Sequence, residues 1–246
     1  MIDFHSHILP GIDDGSKYPE MSRRMLAAGR AQGVTIQIAT PHFYADRMRP
    51  KEFLDRRAEA YEFIRTEAEQ ENVSILCGAE VAFFRNISEA DALDTLVIEN
   101  TNLLLLEMPF REWTDRDLEE IKRIRSRRLV PVLAHVERFI SFHGNKEYID
   151  ELAEMGTVMQ VNAGSLLHWR TRGTALKLFR THQAQLLASD CHNMTTRPQN
   201  MGDGLAVLEK KLGKEIVTEI DRRGKELLCA KLLQENKELF TAYGQR

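Results

Sequence analysis

Three features of the sequence predict an α/β fold built on parallel strands. Seven short apolar, β-rich runs alternate with longer charged segments of helical periodicity. The apolar runs are nearly continuous rather than alternating, as in strands covered by helices on both faces. The length, 246 residues, matches the roughly 200–250 residues of a β/α barrel better than it matches two small domains. A parallel β/α barrel and a doubly wound sheet both satisfy this pattern. No linker, low-complexity run or repeat divides the chain, so a single domain over 1–246 is expected.

"IDFHSH" (2–7) is the first predicted strand. "PEMSRRMLAAGRAQG" (19–33) follows as a helix, with proline near its start and Gly33 at its stop. "VTIQIAT" (34–40) is the second strand, and "PKEFLDRRAEAYEFIRTEAEQE" (50–71) a long amphipathic helix. Further strands are expected at 73–81, 102–108, 130–136, 157–163 and 184–190. Helices at 114–128, 146–155 and about 171–183 separate the last four. Residues 82–101 read as helix and irregular connection, and about 203–246 as a helical C-terminal cover.

Composition narrows the function classes. A 43% hydrophobic and 29% charged chain is that of a globular domain. The net charge of -3 with interspersed signs predicts no electrostatic wrapping of nucleic acid, and a nuclease reading lacks a basic groove. No basic segment followed by an apolar run opens the chain, and no apolar stretch approaches 18 residues, so neither a signal peptide nor membrane insertion is expected. Three scattered cysteines, Cys77, Cys191 and Cys229, point away from a disulfide framework and toward the cytoplasm.

Chemistry enters where the apolar runs stop. The first carries His5 and His7, and the second is followed by His42. The others end in Glu80, Glu107, His135, Asn162 and Asp190, with His192 just after. In parallel β/α folds these strand ends gather around one mouth. Along a strand, His5 and His7 point to one face. With Asp14, the set His5, His7, Asp14, His42, Glu80, Glu107, His135, Asp190 and His192 is a mixed N/O donor set without thiolate, suited to Mn, Fe or Zn. Nine candidates exceed the three or four ligands one ion needs, so two or three metals are expected, with Glu80 as the bridge. "DDG" (13–15) alone reads as a turn. His143, His168 and His182 lie off this pattern, and Cys77 and Cys229 read as structural.

"SDCHNMTTRP" (189–198) carries a competing signal. Cys191 and Arg197 stand at the C-x5-R spacing of cysteine-dependent phosphatases, while Asp190 and His192 flank that cysteine as metal ligands. A thiolate nucleophile needs a thiol pKa well below about 8.5 and a cradle of backbone N–H groups. "HNMTT" has no glycine to build one, so the metal reading of this segment is preferred.

Taken together, "DFHSHILPGIDDGS", "ATPHF", "GAEV", "LLLLEMPF", "LAHVERF", "QVNAGSL" and "SDCHNMTTRP" resemble the polymerase and histidinol phosphatase (PHP) superfamily. Within it they are most similar to the manganese-dependent tyrosine phosphatases of bacterial capsular and exopolysaccharide operons, from residue 2 to about 202. The resemblance implies a distorted seven-stranded parallel (β/α)7 TIM-like barrel holding three divalent ions, manganese first, with iron or zinc as alternatives. It implies one ion on His5, His7, Glu80 and Asp190, a second on Glu80, Glu107 and His135, and a third on Asp14, His42 and His192. Arg138 and Arg197 match arginines that grip the substrate phosphate. Two positions depart from the family pattern: Val136 stands where proline is usual, and Cys191 where a smaller residue is common.

The reaction expected from this is hydrolysis of phosphotyrosine by a metal-bridging hydroxide, with Arg138, Arg197, His42 and Asp190 as catalytic residues. The implied partner is a membrane-associated bacterial tyrosine kinase. Two alternatives keep the metals: a phosphatase for histidinol phosphate or another small phosphomonoester, and a non-catalytic, metal-stabilised module that binds the kinase.

Overall fold

A computed structural model describes the backbone of residues 1–243 and the side chains of residues 1–230; residues 244–246 of the expected C-terminal cover lie outside the described residues. The strand segments are β1 (Ile2–Ser6), β2 (Ile36–Ala39), β3 (His42–Phe43), β4 (Ser74–Cys77), β5 (Glu80–Ala82), β6 (Leu103–Glu107), β7 (Val130–Leu133), β8 (Val158–Asn162) and β9 (Leu186–Ala188). They pair in parallel in two sheets, β1-β2-β4 and β3-β5-β6-β7-β8-β9.

The architecture is therefore a curled parallel sheet in two parts, rather than the seven continuous strands expected of the barrel. The second expected strand ends at Ala39, and beyond Pro41, which offers no N–H to a ladder, an unexpected segment β3 begins; the third is interrupted at Gly78–Ala79. β1 and the segment that follows β9 pair in the backbone through an isolated bridge between Ser6 and Cys191 and two hydrogen bonds. His7 N donates to Cys191 O (2.9 Å), and Asp190 N to His5 O (2.9 Å).

The apolar runs serve two faces. In β6, Leu104 and Leu106 pack with Ile121, Leu152 and Phe179 in one buried cluster. Leu103 and Leu105 join Phe4, Ile38 and Val132 in another. Each such leucine contributes about 1.5–3 kcal/mol on burial. This two-sided burial is why the run "LLLL" shows no alternation.

The helices are α1 (Pro19–Ala31), α2 (Pro50–Glu62), α3 (Arg65–Gln70), α4 (Asp115–Ser126), α5 (Asn145–Glu154), α6 (Ala163–Leu167), α7 (Arg172–Arg180), α8 (Met201–Leu212) and α9 (Lys214–Tyr243). In α1, Ser22, Met25, Leu26 and Gly29 are buried at helical spacing. α4 opens on a capping box between Thr114 and Asp117. The expected helix 50–71 is two helices, because the chain turns at Phe63–Ile64 to bury Ile64 completely. The stretch 82–101 forms short 3-10 turns at Ile87–Glu89 and Asp91–Thr95. The cover breaks at Gly213, whose φ of 97° suits glycine. Among the described residues no helix is long and apolar enough to cross a membrane.

Candidate metal centre

The strand ends and the loops that follow them bring all nine expected ligands together. Donor atoms of His5, His7 and Asp190 lie within 4.8 Å of one another; so do those of His7, Asp14, His42 and His192, and those of His42, Glu80 and Glu107. His135 joins the last group from the side, with Nε2 3.0 Å from Glu80 Oε1 and 3.3 Å from Glu107 Oε1. Glu80 is central. Its Oε2 stands 3.2 Å from His5 Nε2, 3.3 Å from His7 Nε2 and 2.9 Å from His42 Nδ1. The β3–β5 register, which pairs His42 with Glu80, produces the last of these contacts.

Outer partners fix the ring nitrogens of three imidazoles. His7 Nδ1 donates to Asp13 Oδ2 (2.7 Å), His5 Nδ1 to Gln160 Oε1 (3.2 Å) and His192 Nδ1 to Asp190 O (3.0 Å). Each assignment leaves an Nε2 lone pair facing the centre. A relay of amides carries the orientation across the mouth. Asn162 Nδ2 donates to Asp190 Oδ2 (2.7 Å), and Gln160 Nε2 donates to Asn162 Oδ1 (2.8 Å). Gln160 Oε1 accepts from His135 N (2.9 Å) as well as from His5.

This geometry fits divalent cations. His5 Nε2 and His7 Nε2 face each other at 3.1 Å with both Nδ1 protons engaged elsewhere. His42 Nδ1, Glu80 Oε2 and His192 Nε2 are buried without a hydrogen-bond partner, although the first two are 2.9 Å apart. Lone pairs converging in a buried space are costly unless a cation sits among them. Protons otherwise carry the compensating charge. Burial opposes protonation of His135, yet Glu107 and Glu80 outweigh it and lift the imidazole to about 9. Asp13, Asp190 and Glu80 likewise raise His7 against its burial. Glu80 and Asp190 sit well below the usual carboxylate range, since the surrounding histidines outweigh their desolvation. His192, pushed down by burial and by His7 to about 4, offers a neutral imidazole. Cations binding here would replace those protons.

The backbone is bent to the same end. His135 and Asp190 have φ of 34° and 52°, a left-handed conformation that non-glycine residues adopt at a cost. "DDG" is more than a turn: a Cβ on Gly15 would lie 2.2 Å from His7 O. Behind the site, buried Asp3 accepts from Ser189 N (2.8 Å), Ser189 Oγ (2.6 Å), Gln37 Nε2 (2.7 Å) and Gln199 Nε2 (2.9 Å), tying β1 to the segment that carries Asp190.

Arg138 and Arg197 both lean on Asp190. Arg138 Nη2 donates to Oδ2 (2.9 Å) and Arg197 Nη2 to Oδ1 (2.7 Å), and each side chain stays 37% exposed. The C-x5-R signal dissolves in three dimensions. Cys191 is fully buried in an apolar cluster, and burial pushes its thiol up to about 12. The amides of Thr195, Thr196 and Arg197 all donate to Asn193 Oδ1 (2.9, 2.8 and 3.1 Å), which leaves them unable to cradle a phosphate. His143, His168 and His182 are exposed on the surface, and Cys77 is buried.

The sequence reading missed Asp13 and Gln160 and gave Asn162 no role. The signals were slight: the doubled aspartate before Gly15, and a glutamine inside the otherwise apolar "VMQVN".

Known proteins match this chain along most of its length. It is 29% identical over 227 residues to the tyrosine-protein phosphatase CpsB of Streptococcus agalactiae serotype III (strain NEM316), covering 87% of this chain and 92% of that one. It is 29% identical over 245 residues to the tyrosine-protein phosphatase YwqE of Bacillus subtilis (strain 168), covering 98% and 94%. A solved structure from work on YwqE of Bacillus subtilis and CpsB of Streptococcus pneumoniae, described as unique metal-dependent tyrosine phosphatases, superposes with a TM-score of 0.82 at 28% identity, over 93% of this chain and 94% of that one. The family model for capsular polysaccharide synthesis, CpsB/CapC, matches residues 1–228. With that match over nearly its whole length, the chain belongs to the CpsB/CapC capsular polysaccharide synthesis family.

Proposed function

We propose that this protein is a metal-dependent protein-tyrosine phosphatase of capsular or exopolysaccharide synthesis. The observation that carries this reading is the convergence of partnerless imidazole and carboxylate atoms on Glu80. Relatives named tyrosine-protein phosphatases support it.

Three divalent ions, manganese in first place with iron or zinc as alternatives, would be held by His5, His7, Glu80 and Asp190; by Glu80, Glu107 and His135; and by Asp14, His42 and His192. When bound, they supply a water activated near neutral pH and neutralise charge on the phosphoryl oxygens. Arg138 and Arg197 keep one N–H each on Asp190 and turn the rest of their forks to phosphoryl oxygens. A tyrosyl leaving oxygen, with a pKa of about 10, needs less proton donation than an alkoxide. His42 and His192, the two histidines beside Asp14, are the candidates to pass a proton to that oxygen.

The substrate in this reading is a phosphotyrosyl segment of a membrane-associated bacterial tyrosine kinase, met in the cytoplasm. The fold is read as one domain over 1–246, a distorted seven-stranded barrel. In that reading its third strand is broken at Gly78–Ala79, and the bridge between Ser6 and Cys191 would serve to close it.

The test combines metal analysis of the purified protein with turnover of a phosphotyrosyl peptide and of histidinol phosphate, after chelation and metal add-back. About three ions per chain, with peptide turnover restored by manganese, is the expected result. Full activity in metal-free protein overturns the reading, as does turnover of histidinol phosphate alone.

A further inference from the structure

A cavity opens beside the metal centre, on the side of Asp14 and His42. It has a volume of about 440 Å³ and shares Asp14 and His42 with the centre. Asp13 and Arg47 also line it, and its remaining walls are apolar or aromatic: Ile12, Phe43, Tyr44, Met48 and Phe53. Phe43 and Phe53 are buried and packed edge to face at 5.2 Å, so that wall is rigid. Tyr44 is partly exposed; its ring lies 5.3 Å from the His42 ring and carries the Arg47 guanidinium at 4.4 Å. A phosphoryl group held at the centre therefore has an aromatic-walled recess next to it, reached past His42.

We infer that this recess, walled by Tyr44, Met48 and Ile12, is the subsite for the leaving group of the substrate and takes an aryl ring. The inference rests on the phosphatase reading above and names the chemistry on the far side of the ester oxygen. A planar ring fills an apolar slot and makes offset contacts with Tyr44 and Phe43. A short alkyl chain such as that of phosphoserine is too short to reach these walls and leaves the cavity to water. Arg47 closes one side of the slot as part of the Tyr44 stack. Selectivity for aryl over alkyl phosphate then comes from residues 44 and 48 rather than from the metal ligands.

The experiment uses full-length, manganese-loaded protein and the variants Tyr44→Ala, Met48→Ala and Phe110→Ala. Phe110 is an exposed aromatic that does not line this cavity and stacks near His135 at 6.1 Å. Two readouts are taken: the ratio of kcat/KM for a phosphotyrosyl peptide to that for the matching phosphoseryl peptide, and calorimetric affinity for a peptide bearing phosphonomethyl-phenylalanine. Tyr44→Ala is expected to lower both the ratio and the affinity about tenfold, with Met48→Ala in the same direction. Melting curves with manganese present check that each variant is folded; should Tyr44→Ala unfold, Met48→Ala carries the test.

An unchanged ratio in active Tyr44→Ala and Met48→Ala overturns the inference. A fall produced by Phe110→Ala and not by the other two overturns it as well, by moving the ring out of this cavity. Wild-type protein that binds manganese and hydrolyses no aryl phosphate is a different failure, which removes the phosphatase reading itself.

Discussion

Asp13 makes no direct approach to the centre of the ligand cluster, yet its replacement should weaken metal binding. Its Oδ2 accepts from His7 Nδ1 (2.7 Å) and from His42 N (3.0 Å), and its Oδ1 from Gly15 N (2.8 Å). One carboxylate thus orients two ligands and pins the loop that carries Asp14. In Asp13→Asn the amide has two placements. With its NH2 toward His7 and His42 it loses two hydrogen bonds and faces two donors; with its NH2 toward Gly15 it loses one and faces one donor. The second is the milder and removes a net hydrogen bond of about 1 kcal/mol, together with the charge behind His7. Asp13→Ala removes all three. Outer partners of metal-binding histidines are worth about 10–100-fold in affinity, or about 1.4–2.8 kcal/mol. Asp13→Asn should fall near the tenfold end and Asp13→Ala near the hundredfold end. Manganese titration against a competing chelator measures this, with melting curves in chelator checking the apo fold. Wild-type affinity in both variants would refute the reasoning that Asp13 sets the tautomer and aim of His7.

Three further outcomes follow from the structure. Cys191→Ala should retain activity that chelation abolishes, and a thiol reagent should modify exposed Cys229 while sparing Cys77 and Cys191, both pushed up to about 12 by burial; loss of turnover with metals still bound would restore the thiolate. Chelation should lower the melting temperature by about 10 °C, since ligands at about a thousand times Kd contribute about 4 kcal/mol and each kcal/mol shifts a chain of this size about 2–4 °C; scanning calorimetry with and without chelator decides it, and an unchanged midpoint counts against bound metals. At α4, burial opposes the charge on Asp117, but hydrogen bonds from Arg111 and Thr114 outweigh it and hold the carboxyl below 3.8. Its contribution is then fully present above 3.8 and lost as pH falls through the lower folded value. Asp117→Ala should cost about 1 kcal/mol at neutral pH by urea unfolding, and this cost should shrink on acidification; a cost that grows would reverse the assignment.

All the strands but β3 and most helices were legible because two-sided burial writes itself as apolar runs and helical packing as 3.6-residue spacing. The breaks were not. Pro41 was visible, but nothing local says that the chain resumes pairing at His42 with a different neighbour. The turn at Ile64 is likewise set by a tertiary cavity that one isoleucine fills. The candidate donor set was readable because His, Glu and Asp stand out where apolar runs stop. Its support was harder to read. Gln160 lies inside β8, Asp13 looks like half of a turn, and their purpose exists only in relation to His5, His7 and His135 across the mouth. The C-x5-R spacing of Cys191 and Arg197 competed for the opposite reason, since spacing in sequence says nothing of which way a buried thiol faces.

The Asp3 anchor has a consequence for the order in which this protein becomes competent. Its partners Ser189 and Gln199 are 186 and 196 positions away along the chain. A nascent chain ending before residue 189 already carries His5, His7, His42, Glu80, Glu107 and His135, yet lacks both the carboxylate of Asp190 and the clamp that holds β1 in place. Contacts of such span close late, after the loop entropy of nearly the whole chain has been overcome. Until then a bound ion would meet a floppy and incomplete set of donors. On the metal-dependent reading proposed above, metal uptake would belong after synthesis, as the step that seals the first strand to the last.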